Sequence, residues 1–291
     1  MTAEMLAELM HARVSTPERI TELARVRTPP VGLRGQTGRL LLVAADHPAR
    51  GALRAGADAM AMADRCDLLQ RLCTALSRPG VDGVLGTADI LEDLLLLGAL
   101  ESKVVIGSMN RGGLAGTVFE VDDRFTGYRA EALSARGFQG GKMLLRIDPA
   151  DAATAGALAA CADAVGELAD HRLMAMVEPF IAHRHDGRLT NDLSTDAVIR
   201  SVAVASGLGW TSAHTWLKLP VVEGMEAVLA ATTLPVVLLG GEVGADQDAQ
   251  FGLWSKALAS PNVRGMVVGR SLLYPPSGDV AAAVDATVEM M

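Results

Sequence analysis

The sequence predicts an α/β fold of the (β/α)8, or TIM-barrel, class, and three observations predict it. Eight short apolar runs recur along the chain, each followed by a segment of helical pattern. The 291 residues are about the length such a barrel needs, and no linker divides them. No G-x-G-x-x-G follows the first run, where an open dinucleotide-binding sheet would place it. The expectation is one barrel domain over residues 1–291, whose first 38 residues form a helical extension and a link.

Taken in order, residues 1–26 read as a charged amphipathic helix, and a Pro/Gly-rich link runs from Thr28 to Gly38. The run Leu40 to Ala45 ends in Asp46-His47 and fits a strand covered on both faces. A helix is expected over Ala57 to Leu76, with Met60 and Met62 filling core. The second strand is Val81 to Gly86, and Thr87 caps a helix through Leu100. The third strand, Lys103 to Met109, ends in Asn110-Arg111-Gly112-Gly113, and a longer loop precedes a helix around Gly127 to Ala135. The fourth, Gly140 to Ile147, carries Lys142 and Arg146, and an alanine-rich helix follows over Ala152 to Ala169. The fifth, Arg172 to Val177, ends in Glu178-Pro179, and a polar loop from Ala182 to Asp192 leads to a helix capped by Ser194. The sixth is Ala213 to Leu219, with a helix from Glu223. The seventh, Pro235 to Leu239, ends in Gly240-Gly241, before a helix over Asp248 to Ala259. The eighth, Gly265 to Val268, ends in Gly269-Arg270-Ser271, and a last helix starts at Asp279.

Composition narrows the function classes. Half the residues are apolar, enough for a large core. A net charge of −8 and 3% aromatic content argue against a nucleic-acid surface. Cys66, Cys73 and Cys161 lack metal-ligand spacing. Cys66 and Cys73, seven apart on a helical pattern, are expected to share a buried face, and free buried thiols suit a reducing cytosol. The start lacks the basic-then-apolar pattern of a signal peptide, and the Leu94 to Leu97 run is too short to span a bilayer, so a cytoplasmic protein without a membrane partner is expected.

The chemistry gathers where barrel active sites form, at the C-terminal ends of the strands. Lysine is scarce: only Lys103, Lys142, Lys218 and Lys256 stand among the 26 cationic residues. Two of these lie inside apolar strands, Lys142 in the fourth and Lys218 in Thr215-Trp216-Leu217-Lys218-Leu219-Pro220-Val221. A buried ammonium is costly unless paired or neutral, and a neutral lysine attacks carbonyls. Asp46, Glu178 and Arg270 end other strands, and Asn110 and Arg111 follow the third. Singly, each has a plain reading: a snorkelling lysine, a loop cap for Asp46, a surface pair for Glu178, a tight turn for Gly240-Gly241. Together they make a charge-compensated cluster. If the two amines approach within about 5 Å, repulsion of about 3 kcal/mol at an effective dielectric of about 20 lowers one amine's pKa by about two. That amine would form a Schiff base with a ketone or aldehyde, a carboxylate would move the protons, and the iminium would serve as electron sink. Gly240, Gly241, Gly269 and Arg270, after the last two strands, are the expected phosphate site. Arg50, Arg111 and Arg146 are a second candidate cation cluster.

These residues resemble a family. Gly141-Lys142-Met143-Leu144-Leu145, Val177-Glu178-Pro179, Trp216-Leu217-Lys218-Leu219-Pro220 and Val267-Val268-Gly269-Arg270 look like the class I aldolases of the deoxyribose-phosphate, archaeal-type fructose-bisphosphate and tagatose-bisphosphate group. The likeness spans roughly Leu40 to Ser271 and is nearest the tagatose-bisphosphate branch. It implies a Schiff base on Lys218, an active-site partner in Lys142, and carboxylates at Glu178 and Asp46. It also implies a reaction on a phosphorylated sugar without cofactor or metal, in a homo-oligomer. Arg146 departs from the branch, where an uncharged residue is usual. The chain also resembles barrel proteins of bacterial inositol catabolism, in which such an aldolase would cleave 5-dehydro-2-deoxyphosphogluconate to dihydroxyacetone phosphate and malonate semialdehyde. Alternatives are a metal-dependent barrel lyase or isomerase using Glu178, Asp46 and a histidine, and a non-catalytic aldolase-like binding protein. His183-Arg184-His185-Asp186 is a possible metal motif but reads more simply as a solvated loop. His47 and His214 read as rim or core residues, and Phe125, Tyr128 and Trp216 as packing.

Overall fold

The structure, a computed structural model, describes residues 2–33, 35, 38–241 and 247–291. Nine strands are described: β1 (Leu40–Ala44), β2 (Gly83–Gly86), β3 (Val104–Ser108), β4 (Gly140–Ile147), β5 (Met174–His185), β6 (Arg188–Asn191), β7 (Thr215–Leu219), β8 (Val236–Leu239) and β9 (Val263–Val268). Their order is β4-β3-β2-β1-β9-β8-β7-β5-β6, and β4 also pairs with β5. Eight parallel strands therefore close into a (β/α)8 TIM barrel, with β6 an antiparallel appendage on β5. The helices described are α1 (Ala3–Ser15), α2 (Glu18–Val26), α3 (Arg65–Ser77), α4 (Ala88–Leu96), α5 (Ala130–Ala135), α6 (Ala153–Asp170), α7 (Thr195–Ser206), α8 (Met225–Ala230), α9 (Gln247–Leu258), α10 (Arg270–Leu273) and α11 (Val280–Glu289).

Strand parity builds the two cores. Successive side chains on a strand point to opposite faces. Leu41, Val43, Val84, Val105, Met143, Leu145, Val177, Leu217 and Val268 join the outer core under the helices. Leu40, Leu42, Leu85, Val104, Ile106, Met174, Met176, Val237 and Val267 form a separate interior cluster, with Leu33 and Trp216 packed on it. Gly265 marks a tight crossing: at φ 140° its Cα lies so close to β1 that an added Cβ would meet the Leu40 carbonyl oxygen at 1.9 Å.

Several elements differ from expectation for local reasons. The single N-terminal helix is two, because Pro17 lacks the N–H that would continue α1; the Thr16 N–H closes that helix on Ala12. Arg13 then reaches Asp93, and buried Arg27 donates to the carbonyls of Leu100, Lys103 and Gly137, holding the extension at the N-terminal end of the barrel. The helix expected from Ala57 starts at Arg65, where the Asp64 carboxylate caps the Asp67 N–H at 3.0 Å. The stretch before it is turns, so Met60 is exposed while Met62 is buried. Cys66 and Cys73 are half-buried, and Cys161 is fully buried.

The largest difference is at β5. The strand does not stop at Glu178-Pro179 but runs on to His185. Pairing with β7 ends at Val177, so Pro179 needs no partner for its missing N–H on that side. Asp186 and Gly187, with φ of 47° and 78°, then turn the chain into β6. The expected polar loop is thus a β-hairpin, and His183 on it is exposed.

Candidate active site

Lys142, Arg146, Glu178 and Lys218 stand on strands, Asp46, Arg111 and Arg270 lie just past strand ends, Arg50 follows in a short turn after Asp46, and register sets the level of the strand residues. Lys142 pairs across from Ser108 on β3, Leu144 lies opposite Glu178, and Leu217 lies opposite Val177, so Lys218 and Glu178 come to one height. Parity turns Lys142, Glu178 and Lys218 inward, directly above the apolar interior.

All four central groups are buried: Asp46 is 2% exposed, Lys142 2%, Lys218 3% and Glu178 8%. Glu178 lies between the two lysines. One of its oxygens meets Lys142 Nζ, and the other meets Lys218 Nζ at 2.9 Å. Lys142 also contacts Asp46 at 3.3 Å, and Asp46 forms an ion pair with Arg111 at 2.7 Å and accepts from the Ser108 hydroxyl at 3.2 Å. With both lysines protonated, three cations face two anions. Loss of one proton from a lysine would make the layer neutral.

The protonation equilibria follow this arrangement. Burial lowers the Lys142 amine to about 8, against the opposing pull of Asp46 and Glu178. Burial alone would raise both carboxyls, but Arg111 and Lys142 hold Asp46, and Lys142 and Lys218 hold Glu178, well below the ordinary range. Burial keeps the His47 imidazole neutral, lowering it to about 3.

These groups open into a cavity of about 860 Å³ at the C-terminal ends of the strands. It is lined also by Arg111, Arg146, Gly240, Gly241, Gly269 and Arg270, so the predicted anion-binding residues share one mouth with the lysines. Gly241 has φ 70°. A Cβ on Gly269 would meet the Ala44 carbonyl oxygen at 2.7 Å, and one on Gly240 would meet Val268 at 2.5 Å; only glycine lets these backbones approach the rim. Arg270 donates to the Arg54 carbonyl at 3.4 Å. Asn110 reaches the same end, but its amide is spent on both backbone groups of Leu144, accepting from the N–H at 2.8 Å and donating to the carbonyl. A second cavity, of about 540 Å³, lies outside the barrel between the 122–129 loop and α6 and contains neither lysine.

Other residues join the site without a sequence signal strong enough to pick them out. Glu120 pairs with Arg146, and Asp123 with Arg50. The acidic stretch Glu120-Val121-Asp122-Asp123, in the loop that follows Arg111, was the available hint. Ser108 shares inward parity with Lys142. Leu189 and Leu193 reach the mouth only because the hairpin exists. Among the described residues, no group of three or more His, Cys, Asp or Glu is placed to hold a metal ion, and no helix is long and apolar enough to cross a membrane.

Residues 38–288 match the model of a family described as Cgl0159-like. The chain is 53% identical to Cgl0159 from Corynebacterium glutamicum, whose crystal structure superposes with a TM-score of 0.97, covering 100% of this chain and 97% of that one. A Schiff-base-forming fructose-1,6-bisphosphate aldolase superposes at TM-score 0.66 and 20% identity, over 93% of this chain and 99% of that one. An archaeal fructose 1,6-bisphosphate aldolase does so at 0.65 and 18%, over 93% and 98%. At such identities the aldolase likeness shows the barrel fold alone. No curated protein matches the sequence.

Proposed function

We propose, from the premise that the chain belongs to the Cgl0159-like family, that it is a class I, Schiff-base-forming aldolase acting on a phosphorylated sugar or sugar acid. One observation carries the reading: two buried lysines share one buried carboxylate in a layer that holds one cation too many.

In this reading neutral Lys218 adds its nitrogen lone pair to the substrate's keto carbon. The C–N bond forms as the carbonyl π pair moves onto oxygen, which takes a proton from Lys142. Glu178 takes the surplus proton from the nitrogen and returns it to the hydroxyl, which leaves as water, giving the iminium. Glu178 next accepts the proton of the hydroxyl β to the iminium carbon. That O–H pair becomes the aldehyde C=O, the pair of the breaking C–C bond forms the enamine C=C, and the C=N π pair moves onto nitrogen. Protonation of the enamine carbon and addition of one water free the second product and Lys218. A Lys142 amine near 8 suits a proton donor at neutral pH. Asp46 and Arg111 fix its position.

The substrate phosphate would lie against Gly240, Gly241, Gly269 and Arg270. Within this class the reading favours 5-dehydro-2-deoxyphosphogluconate, giving dihydroxyacetone phosphate and malonate semialdehyde, because the arginine side of the mouth suits a carboxylate. A homo-oligomer acting in the cytoplasm belongs to the same reading. The test is borohydride treatment in the presence of candidate ketones and aldehydes, followed by mass mapping. An adduct on Lys218 is expected. An adduct on Lys142 alone reverses the two roles, and an active preparation that traps nothing ends the reading.

A further inference from the structure

One side of the mouth holds three arginines, and each has its own carboxylate: Arg111 with Asp46, Arg50 with Asp123, Arg146 with Glu120. The three carboxylates are not equally fixed. Asp46 lies just past β1, and its carboxylate meets Arg111, Lys142 and the Ser108 hydroxyl. Asp123 accepts from Arg50 and, at 3.0 Å, from the Gly113 N–H, while Arg50 also donates to the Gly113 and Asn110 carbonyls. Glu120 ends a surface turn whose Leu114, Val118 and Phe119 side chains are exposed. Among the described residues its second oxygen accepts only from Gly116, in the same turn, at 2.9 Å. Arg146, in contrast, is anchored on β4, two inward positions above Lys142, and lines the cavity.

The three guanidinium groups still repel one another. Burial, then Arg111, lower the Arg50 guanidinium to about 10, with Arg146 adding to the repulsion. Among the described residues, the buried Nε–H groups of Arg50 and Arg111 have no hydrogen-bond partner. An anion facing this wall is favoured, and a monoanion that replaces the Glu120 carboxylate leaves the wall's charge unchanged.

We propose that Arg146 is a carboxylate subsite and that Glu120 is its built-in competitor, displaced toward water by a ligand carboxylate. A tethered competitor acts at high effective concentration. A free carboxylate therefore binds poorly, whereas one anchored elsewhere in the cavity competes on equal terms. Glu120 thus makes the mouth selective for ligands carrying a second anchor. That this ligand is the substrate rests on the aldolase reading; the subsite and its competitor do not.

The experiment is calorimetric titration of acetate, and separately of inorganic phosphate, into the full chain. Glu120→Gln is expected to bind acetate roughly tenfold or more tightly than wild type, Arg146→Met in that background to lose the gain, and phosphate affinity to stay unchanged in both. Glu120→Asp, which withdraws the carboxylate by one methylene, is expected to fall between, and it serves if Glu120→Gln does not fold. Equal acetate affinity in wild type and folded variants, or a gain that survives loss of Arg146, overturns the proposal. The same titrations on Lys218→Met are expected to give the same gain, so a failed aldolase reading and a failed subsite are told apart. If the aldolase reading holds, Glu120→Gln lowers KM for a phosphorylated keto acid and leaves that for a ketose phosphate alone.

Discussion

The lower and upper halves of the barrel interior use the same strands and the same parity, yet opposite chemistry. On β5, Met176 faces the apolar interior and Glu178, two residues on, faces the mouth; on β7 the step is from Trp216 to Lys218, and on β4 from Gly140 to Lys142. The charged groups of the upper half are as buried as the apolar interior below them, though they line the cavity. The lower half is held by dispersion and apolar burial, which have no direction. The upper half is held by Coulomb attraction among groups whose desolvation is costly, so each must answer another. The lower layer thus tolerates substitution of like volume, and the upper layer tolerates only changes that keep its charges answered.

The sharpest break of this comparison is Lys218→Met. It should cut turnover by roughly 10⁴-fold or more and abolish the borohydride adduct. It should leave the melting temperature nearly unchanged, since Lys142 and Arg111 still balance Asp46 and Glu178. A strongly destabilised Lys218→Met protein would show the charge count to be incomplete. Glu178→Gln instead removes the anion the two lysines share, leaving Lys142 only Asp46; a loss of about 3–5 kcal/mol in denaturant unfolding is expected. Met176→Ala in the lower half should cost about 2–5 kcal/mol while retaining turnover per folded molecule.

Lys142→Met should lower turnover by roughly 10²-fold. The wild-type rate should fall as pH rises through about 8, where Lys142 loses its proton, and the variant should lack that limb. A variant with normal turnover and an unchanged pH profile would reduce Lys142 to a structural role. Arg270→Ala should raise KM for phosphorylated substrates roughly tenfold, the loss of one charge-assisted bond of about 1.5–3 kcal/mol, and an unchanged KM would remove Arg270 from the phosphate site.

The smallest effect concerns acid. His47 is held neutral down to about 3 in the fold, against 6.5 for an ordinary imidazole. Between these values the unfolded chain binds the extra proton, so stability falls as pH drops below about 6.5. Asp46 and Glu178 add to the loss further down, because protonation removes the anions that answer the lysines. His47→Gln should flatten the first part of that decline, measured by unfolding from pH 7 to 5; an unaltered slope would show that His47 gains its proton without cost.

Much of this was legible because local chemistry decided it. Apolar runs bounded by Gly and Pro located eight barrel strands, and Ser194 and Asp279 cap their helices as their side chains dictate. The missed boundaries had local causes of their own, such as Asp64 starting α3 and Pro17 splitting the N-terminal helix. The hairpin was missed because Pro179 normally ends a strand, and only the early end of the β7 ladder lets it continue.

The sequence by itself determined that two lysines and two carboxylates would be buried near the strand ends, since apolar strands leave an inward charge no solvent. The tertiary structure alone decided which charges meet. Register placed Glu178 between Lys142 and Lys218, ring closure brought Asp46 of the first strand to Lys142 of the fourth, and a surface turn delivered Glu120 to Arg146. The physical reason is range: burial and propensity act over a few residues of chain, whereas an ion pair needs a distance near 3 Å, which only the closed barrel sets.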